Sequence, residues 1–300
     1  MSNETKGGSL LLGYFYLIAA AVIFGCMPLG ANIIYADGVT PFTLVFLRGI
    51  LASPVLALLT YLKGDTLRVS RGAAIEGMLA GAVGCGIVPL MLFLSYKMID
   101  SSTAMVLHFV YPAVVVVGSL FYREKIKKSA VLCVVLCSLG ITFFFDGTGK
   151  IDPLGAVVAI ASGVAYAIYV LLIAHAKHKE ELTGFRLSFF AASASAVLAL
   201  IVSLVSNSFC LPQTLRGWVA SFIFAVALGA GAVVLFQKGT NIVGGQRAAI
   251  LSTFEPITGV VVGLVFLNER LTLRTFLGSV IVLSASVLIA LQDAKNAKKK

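Results

Sequence analysis

Charge is scarce in this sequence. Asp, Glu, Lys and Arg make up 12% of its 300 residues, against about 25% in an ordinary soluble domain. Hydrophobic residues make up 59% and mean hydropathy is +1.00, which excludes a soluble domain with a single anchor. Long polar loops are missing too, so no soluble domain is inserted between the apolar runs. No glycine-rich stretch leads into Gly-Lys-Ser or Gly-Lys-Thr and no HExxH occurs, which argues against ATP hydrolysis and zinc-protease chemistry. The five cysteines (Cys26, Cys85, Cys133, Cys137 and Cys210) lie in or beside apolar segments without CxxC spacing. Neither a disulfide framework nor a metal site is expected of them, and they read as small buried hydrophobes. No cofactor is expected.

What the sequence does contain is a series of apolar runs from Leu10 to Leu291. Each is about 20 residues long, enough to cross a hydrocarbon core of about 30 Å as a helix. The bilayer offers the backbone no water, so only helices and closed barrels can span it. Barrel strands alternate in polarity and these runs do not. The expected spans are 10–33, 41–62, 73–96, 102–122, 129–146, 153–174, 185–206, 217–237, 247–267 and 273–291. The expected fold is therefore an all-α integral membrane protein with ten transmembrane helices. Ile23-Phe24-Gly25-Cys26 faintly resembles a lipoprotein cleavage box, but the apolar run continues past the cysteine. An uncleaved first helix is the better reading.

A net charge of +10 would suggest nucleic acid in a soluble protein. Here the basic residues sit almost entirely at helix ends, so they are read as topology signals and no nucleic-acid partner is expected. With the N-terminus inside, 17 Lys and Arg fall in inner segments and 5 in outer ones, Arg48 lying within a span. The positive-inside rule then gives an N-in, C-in, multi-pass protein.

The chain also repeats itself. Gly13 opens the first run as Gly155 opens the sixth, and Thr40-Pro41-Phe42 is answered by Thr183-Gly184-Phe185. Pro112 is answered by Pro256, and Glu124 by Glu269. The offset drifts only from 142 to 145 residues, as single-residue indels within a duplication would produce. Two five-helix copies, residues 1–148 and 149–300, are expected. Five is odd, so the second copy must be inverted in the membrane, a common build of secondary transporters with a midplane site.

These residues carry a family resemblance. Phe46-Leu47-Arg48 is followed by Thr103-Ala104 running to Tyr111-Pro112, then by Tyr122-Arg123-Glu124-Lys125. The second copy has Arg247-Ala248 running to Glu255-Pro256, then Leu267-Asn268-Glu269-Arg270-Leu271. The pattern resembles the EamA branch of the drug/metabolite transporter superfamily over essentially the whole chain. That resemblance implies a ten-helix solute carrier, usually an exporter of amino acids or other small metabolites.

Glu255 is the sharpest candidate residue. A carboxylate near the middle of a span is costly, and Pro256 frees a backbone carbonyl one turn earlier. Glu255 either faces a cavity, binding a cationic group or a coupling proton, or pairs structurally with a neighbouring helix. Arg48, seven residues into its span, would capture a carboxylate, pair with Glu255 or Asp37, or snorkel to the surface. His108 shares a helix face with Pro112 and would relay protons or pack as a hydrogen-bonded ring. Phe24, Tyr111, Tyr166 and Tyr169 would wall a cavity or pack between helices. Gly77, Gly81, Gly84, Gly86, Gly229, Gly231, Gly259 and Gly263 are expected to let helices approach closely. Glu124 and Glu269 read as helix caps, Gln237 as a candidate end cap, and His175 and His178 as part of a solvated loop.

The leading expectation is a secondary transporter working by alternating access and moving a small zwitterion outward. Its partners would be a small-molecule solute, a coupling proton and the lipid bilayer. A passive channel is the nearest alternative. An intramembrane enzyme would need a catalytic pair that the spacing around His108 does not supply, and a scaffold would need long loops. Oligomeric state is not legible.

Overall fold

The computed structural model describes residues 3–118, 151–178, 180–182, 184–243, 254–270 and 272–297, with shorter pieces between 132 and 143 and at 251. The described residues form helices α1 (Asn3–Gly25), α2 (Met27–Tyr35), α3 (Pro41–Leu62), α4 (Arg71–Gly81) and α5 (Val88–Ser95). There follow α6 (Ser101–His108), α7 (Tyr111–Gly118), α8 (Pro153–Ala174), α9 (Phe185–Val205), α10 (Leu215–Val226) and α11 (Ala232–Val243). The last two are α12 (Phe254–Phe266) and α13 (Leu273–Ala297). Among the described residues, six helical stretches are long and apolar enough to cross a membrane: Leu10–Tyr35, Pro41–Leu62, Arg71–Ser95, Pro153–Ile173, Phe185–Val205 and Leu215–Phe236. The protein is an all-α, multi-pass membrane protein. Its surface agrees, since large apolar side chains in the middle of helices, such as Leu79, Val197 and Ile223, are 60–63% exposed, part of an extensive apolar surface that suits lipid. The expected span 129–146 and the positions of Glu124, Cys133 and Cys137 lie mostly or wholly outside the described residues.

Four of the expected continuous spans are interrupted. The first breaks at Cys26 between α1 and α2, with Pro28 in the first turn of α2. The span from Ser101 breaks at Phe109–Val110, because Pro112 has no N–H to give the His108 carbonyl. The span from Arg71 passes through a π-helical turn, Ala82–Ile87, and a second π turn, Ala227–Gly231, joins α10 to α11. In the first of these, Pro89 removes the hydrogen bond that Cys85 would otherwise accept, and the wider turn absorbs the defect.

The helices before residue 150 pack chiefly against those after it: α3 against α9 and α10, α1 against α11 and α12, α5 against α8, and α6 against α8 and α12. Small residues make this possible. Ala20, Ala31, Ala156, Ala159, Ala167 and Ala199 are fully buried, so backbones approach closely where the bilayer gives no hydrophobic drive to pack helices. At Gly49 an added Cβ would lie 2.6 Å from the Ala192 carbonyl oxygen, and at Gly81 only 2.1 Å from the Ala191 Cα.

Carboxylates fasten the loops at both ends of the bundle. At one end Asp37 accepts from the backbone N–H groups of Gln213 (2.9 Å) and Thr214 (3.1 Å), just before α10. Glu269 accepts there from Ser101 N (2.7 Å), Ser101 Oγ (2.5 Å) and Ser102 N (3.0 Å) at the start of α6. It is a helix cap as expected, but for a helix distant in sequence rather than for α13, which follows it. At the other end Glu181 accepts from Ser70 N (2.7 Å) and Ser70 Oγ (2.9 Å) before α4, and Arg186 pairs with Asp65. His178 is not simply solvated: its backbone and ring both bond Glu76, the ring Nδ1 at 2.9 Å.

These brackets make stability depend on acidity. Hydrogen bonds from Thr214, then from Gln213, hold the Asp37 carboxyl below its ordinary range, and bonds from Ser70 do the same for Glu181. A carboxyl with a lowered folded pKa contributes stability that is complete above its unfolded value, about 4. That contribution disappears as the pH falls through the folded value. The detergent-solubilised protein should therefore melt at lower temperature as the pH drops below about 4. An Asp37→Asn, Glu181→Gln double variant should show a flatter profile over the same range, measured by a thermal melt series.

Candidate functional site

Inside the bundle lies a cavity of about 450 Å³, within the range of small-molecule sites. All six residues singled out from sequence reach its wall: Arg48 from α3, His108 from the end of α6, Tyr111 from the start of α7, Tyr166 and Tyr169 from α8, and Glu255 from α12. Phe24 lines it as well.

Local structure explains how each arrives there. Helix α3 starts at Pro41, capped by Thr40, whose hydroxyl accepts from Thr43 N and donates to the Ser208 carbonyl at 2.7 Å. Arg48 follows two turns later, and Gly49 beside it lets α3 lie directly on α9. Glu255 sits in the first described turn of α12. Gly25, at the break between α1 and α2, packs against this turn, an added Cβ coming within 2.6 Å of the Glu255 carbonyl oxygen. The break after His108 turns its carbonyl toward Gly163 of α8, where a Cβ would meet that oxygen at 2.4 Å.

The aromatic residues form a connected wall. Tyr111 and Tyr166 meet edge to face with ring centroids 4.7 Å apart, and Tyr169 continues from Tyr166 at 5.6 Å. The His108 ring lies 5.5 Å from Tyr166 and 6.0 Å from Tyr111. Gly84, in the first π turn, makes room for Tyr169, since a Cβ there would fall 2.3 Å from the ring. His108 Nδ1 is 2.8 Å from Ser162 Oγ, and that hydroxyl donates to the Ala159 carbonyl at 2.6 Å.

Arg48 is paired with neither Glu255 nor Asp37. Asp37 is committed to Gln213 and Thr214, and Arg48 instead lies against the Cys85 thiol and near Tyr169. Glu255 has no ion-pair partner among the described residues, and Tyr166 and Tyr96 lie within reach of its charge. The cavity thus holds a guanidinium and a carboxylate, each unneutralised by the other. Among the described residues no cluster of three or more His, Cys, Asp or Glu is gathered for a metal ion.

Sequence reasoning missed Cys85, Ser188, Ser195 and Gly229 as lining residues. For Cys85 a signal existed: Pro89 lies four residues on, and glycines flank the thiol. A second cavity, about 590 Å³, lies between α4 and the end of α8, lined by Ile75, Leu79, Leu172 and the Glu76–His178 pair. None of the six residues reaches it.

The sequence matches the EamA-like transporter family over residues 11–145 and again over 153–291. The chain belongs to that family. It is 27% identical to the uncharacterized inner membrane transporter YicL of Salmonella typhimurium, over 97% of this chain and 99% of that one. An uncharacterized transporter of Archaeoglobus fulgidus is also 27% identical, covering 91% of this chain and 96% of its own length. The uncharacterized transporter YcbK of Bacillus subtilis is 24% identical over 92% of each. A solved crystal structure superposes with a TM-score of 0.65 at 16% identity, over 95% of this chain and 98% of that one, a likeness of fold. Membership of the family makes the chain a membrane transporter and not an enzyme.

Proposed function

We propose that this chain is a secondary carrier of the cytoplasmic membrane that moves a small zwitterionic metabolite, an amino acid or close analogue, outward by alternating access. The observation that carries this reading is the pair Arg48 and Glu255, facing one cavity without neutralising each other. A solute with a carboxylate at one end and an ammonium at the other would satisfy both, and each charge-assisted bond is worth about 1.5–3 kcal/mol.

The machinery is two inverted five-helix copies, residues 1–148 and 149–300, making ten spans with both termini inside. Several placements support it. The π turns begin at Ala82 and Ala227, 145 residues apart, and the family match occurs once in each half. Asp37 bonds the backbone before α10, while Glu181, 144 residues later, bonds the backbone before α4 at the opposite end. Prolines at 112 and 256 have the same spacing. The charges break this symmetry: the position 144 residues after Arg48 is Ala192, and the position 144 before Glu255 is Tyr111, both at the cavity wall. The repeat supplies the rocking scaffold, and single substitutions within it supply the polarity that orients a solute.

The test is counterflow. Purified protein in liposomes loaded with unlabelled amino acids is offered each labelled amino acid in turn. Transient accumulation of one or a few, absent from protein-free liposomes, is the expected result. A flat response from folded protein across the panel would end the amino-acid reading, and linear, non-saturating uptake without counterflow would indicate a channel.

A further inference from the structure

The hydrogen bonds around His108 fix more than its position. A serine hydroxyl has one proton, and that of Ser162 is given to the Ala159 carbonyl at 2.6 Å. Ser162 Oγ can then only accept from the histidine, so the proton of the neutral ring is on Nδ1. Nε2 is left as a bare lone pair on a ring that lines the cavity, and it has no bonding partner among the described residues. The ring is 8% exposed, so bulk water offers that lone pair little.

We infer that His108 Nε2 is the coupling site of the carrier, accepting in turn a proton or an N–H of the solute. One lone pair cannot serve both. When solute binds, its ammonium or amide N–H occupies Nε2. When solute leaves, a proton takes its place, converting the imidazole to imidazolium while Nδ1–H stays on Ser162. The carrier therefore returns with one proton for each solute it has exported, and the exchange is obligatory because the two occupants exclude one another. This deepens the proposed function and rests on the carrier reading.

The groups facing the ring suit this role. Tyr111 of α7 and Tyr166 of α8 flank it with aromatic faces and carry no charge near neutral pH. Across the cavity stand Glu255 of α12, Arg48 of α3, Tyr169 of α8 and the Cys85 thiol. Helix α5, also packed on α6, has no ionisable residue, and Arg274 of α13 is exposed. Arg48 cannot change its charge. Glu255 would hold the cationic end of the solute, leaving the imidazole as the group that trades a proton.

The experiment uses the full chain in liposomes containing the proton-sensitive dye pyranine and an equimolar mixture of the protein amino acids. Two readouts are taken: labelled amino-acid counterflow at equal pH on both sides, and proton movement when the amino-acid gradient is imposed. The unaltered protein should show both. His108→Gln, whose amide can still donate to Ser162, should weaken counterflow by removing the Nε2 acceptor, and whatever solute exchange remains should carry no protons. Ser162→Ala should keep proton movement but bind amino acids several-fold more weakly, since only part of the population then offers a bare Nε2. Proton movement that survives in folded His108→Gln overturns the assignment, as does counterflow without proton movement in the unaltered protein. Should His108→Gln fail to fold, Ser162→Ala decides: unchanged affinity overturns it. Absence of counterflow in the unaltered protein would instead refute the carrier reading itself.

Discussion

Glu255→Gln and Arg48→Ala are each expected to lower amino-acid counterflow at least about tenfold, the equivalent of about 1.4 kcal/mol. Each removes one end of the charge pair that the cavity presents without internal neutralisation. Glutamine keeps the size of Glu255 and its helix position, so folding should be little affected and the loss should appear as weaker solute binding. Arg48→Lys should recover only part of the activity, because an ammonium cannot reproduce the two-pronged bond of a guanidinium to a carboxylate. Measuring half-saturation and maximal rate separately distinguishes the roles. A residue that binds solute equally throughout the cycle changes only half-saturation, whereas one used in the occluded state lowers the rate as well. Normal counterflow by both variants, well folded, would remove the zwitterion reading.

The largest structural effect is expected at Gly81. A side chain there would start 2.1 Å from the Ala191 Cα and 2.6 Å from its Cβ, and backbone cannot rotate away as a flexible side chain would. Gly81→Val should force α4 and α9 apart and lower the apparent melting temperature in detergent by several degrees, reflecting an overpacking cost of at least about 1–3 kcal/mol. Gly231→Ala is the control, since its Cβ would meet only the Val226 carbonyl oxygen at 3.5 Å, an ordinary contact. If both variants melt alike, the close approach of α4 to α9 is not what Gly81 provides. Because α4 leads into the π turn that carries Cys85, the same substitution should also impair transport.

Much of the molecule was legible from residue order because its signals are local. Apolar runs long enough to span, Thr40 and Pro41 opening α3, and Asp152 and Pro153 opening α8 are all set within a few residues. The ends of α8 and α9 fall within one residue of expectation for that reason. Other features were half legible. Pro28, Pro89 and Pro112 announce defects in their helices, but whether a defect becomes a break or a π turn depends on what packs against it.

The sequence by itself determined that the chain lives in a membrane as packed helices, and it nominated Arg48, His108, Tyr111, Tyr166, Tyr169 and Glu255. Only the tertiary structure decided that these six share one cavity, since they come from five helices spread over more than two hundred residues. It decided also that Arg48 rests on Cys85 instead of Glu255, that Glu269 caps α6 from 168 residues away, and that Ser162 fixes the histidine tautomer. The physical reason is range. Burial and helix geometry repeat every few residues and are written along the chain, whereas a hydrogen bond forms wherever packing brings donor and acceptor within about 3 Å, whatever their separation in sequence.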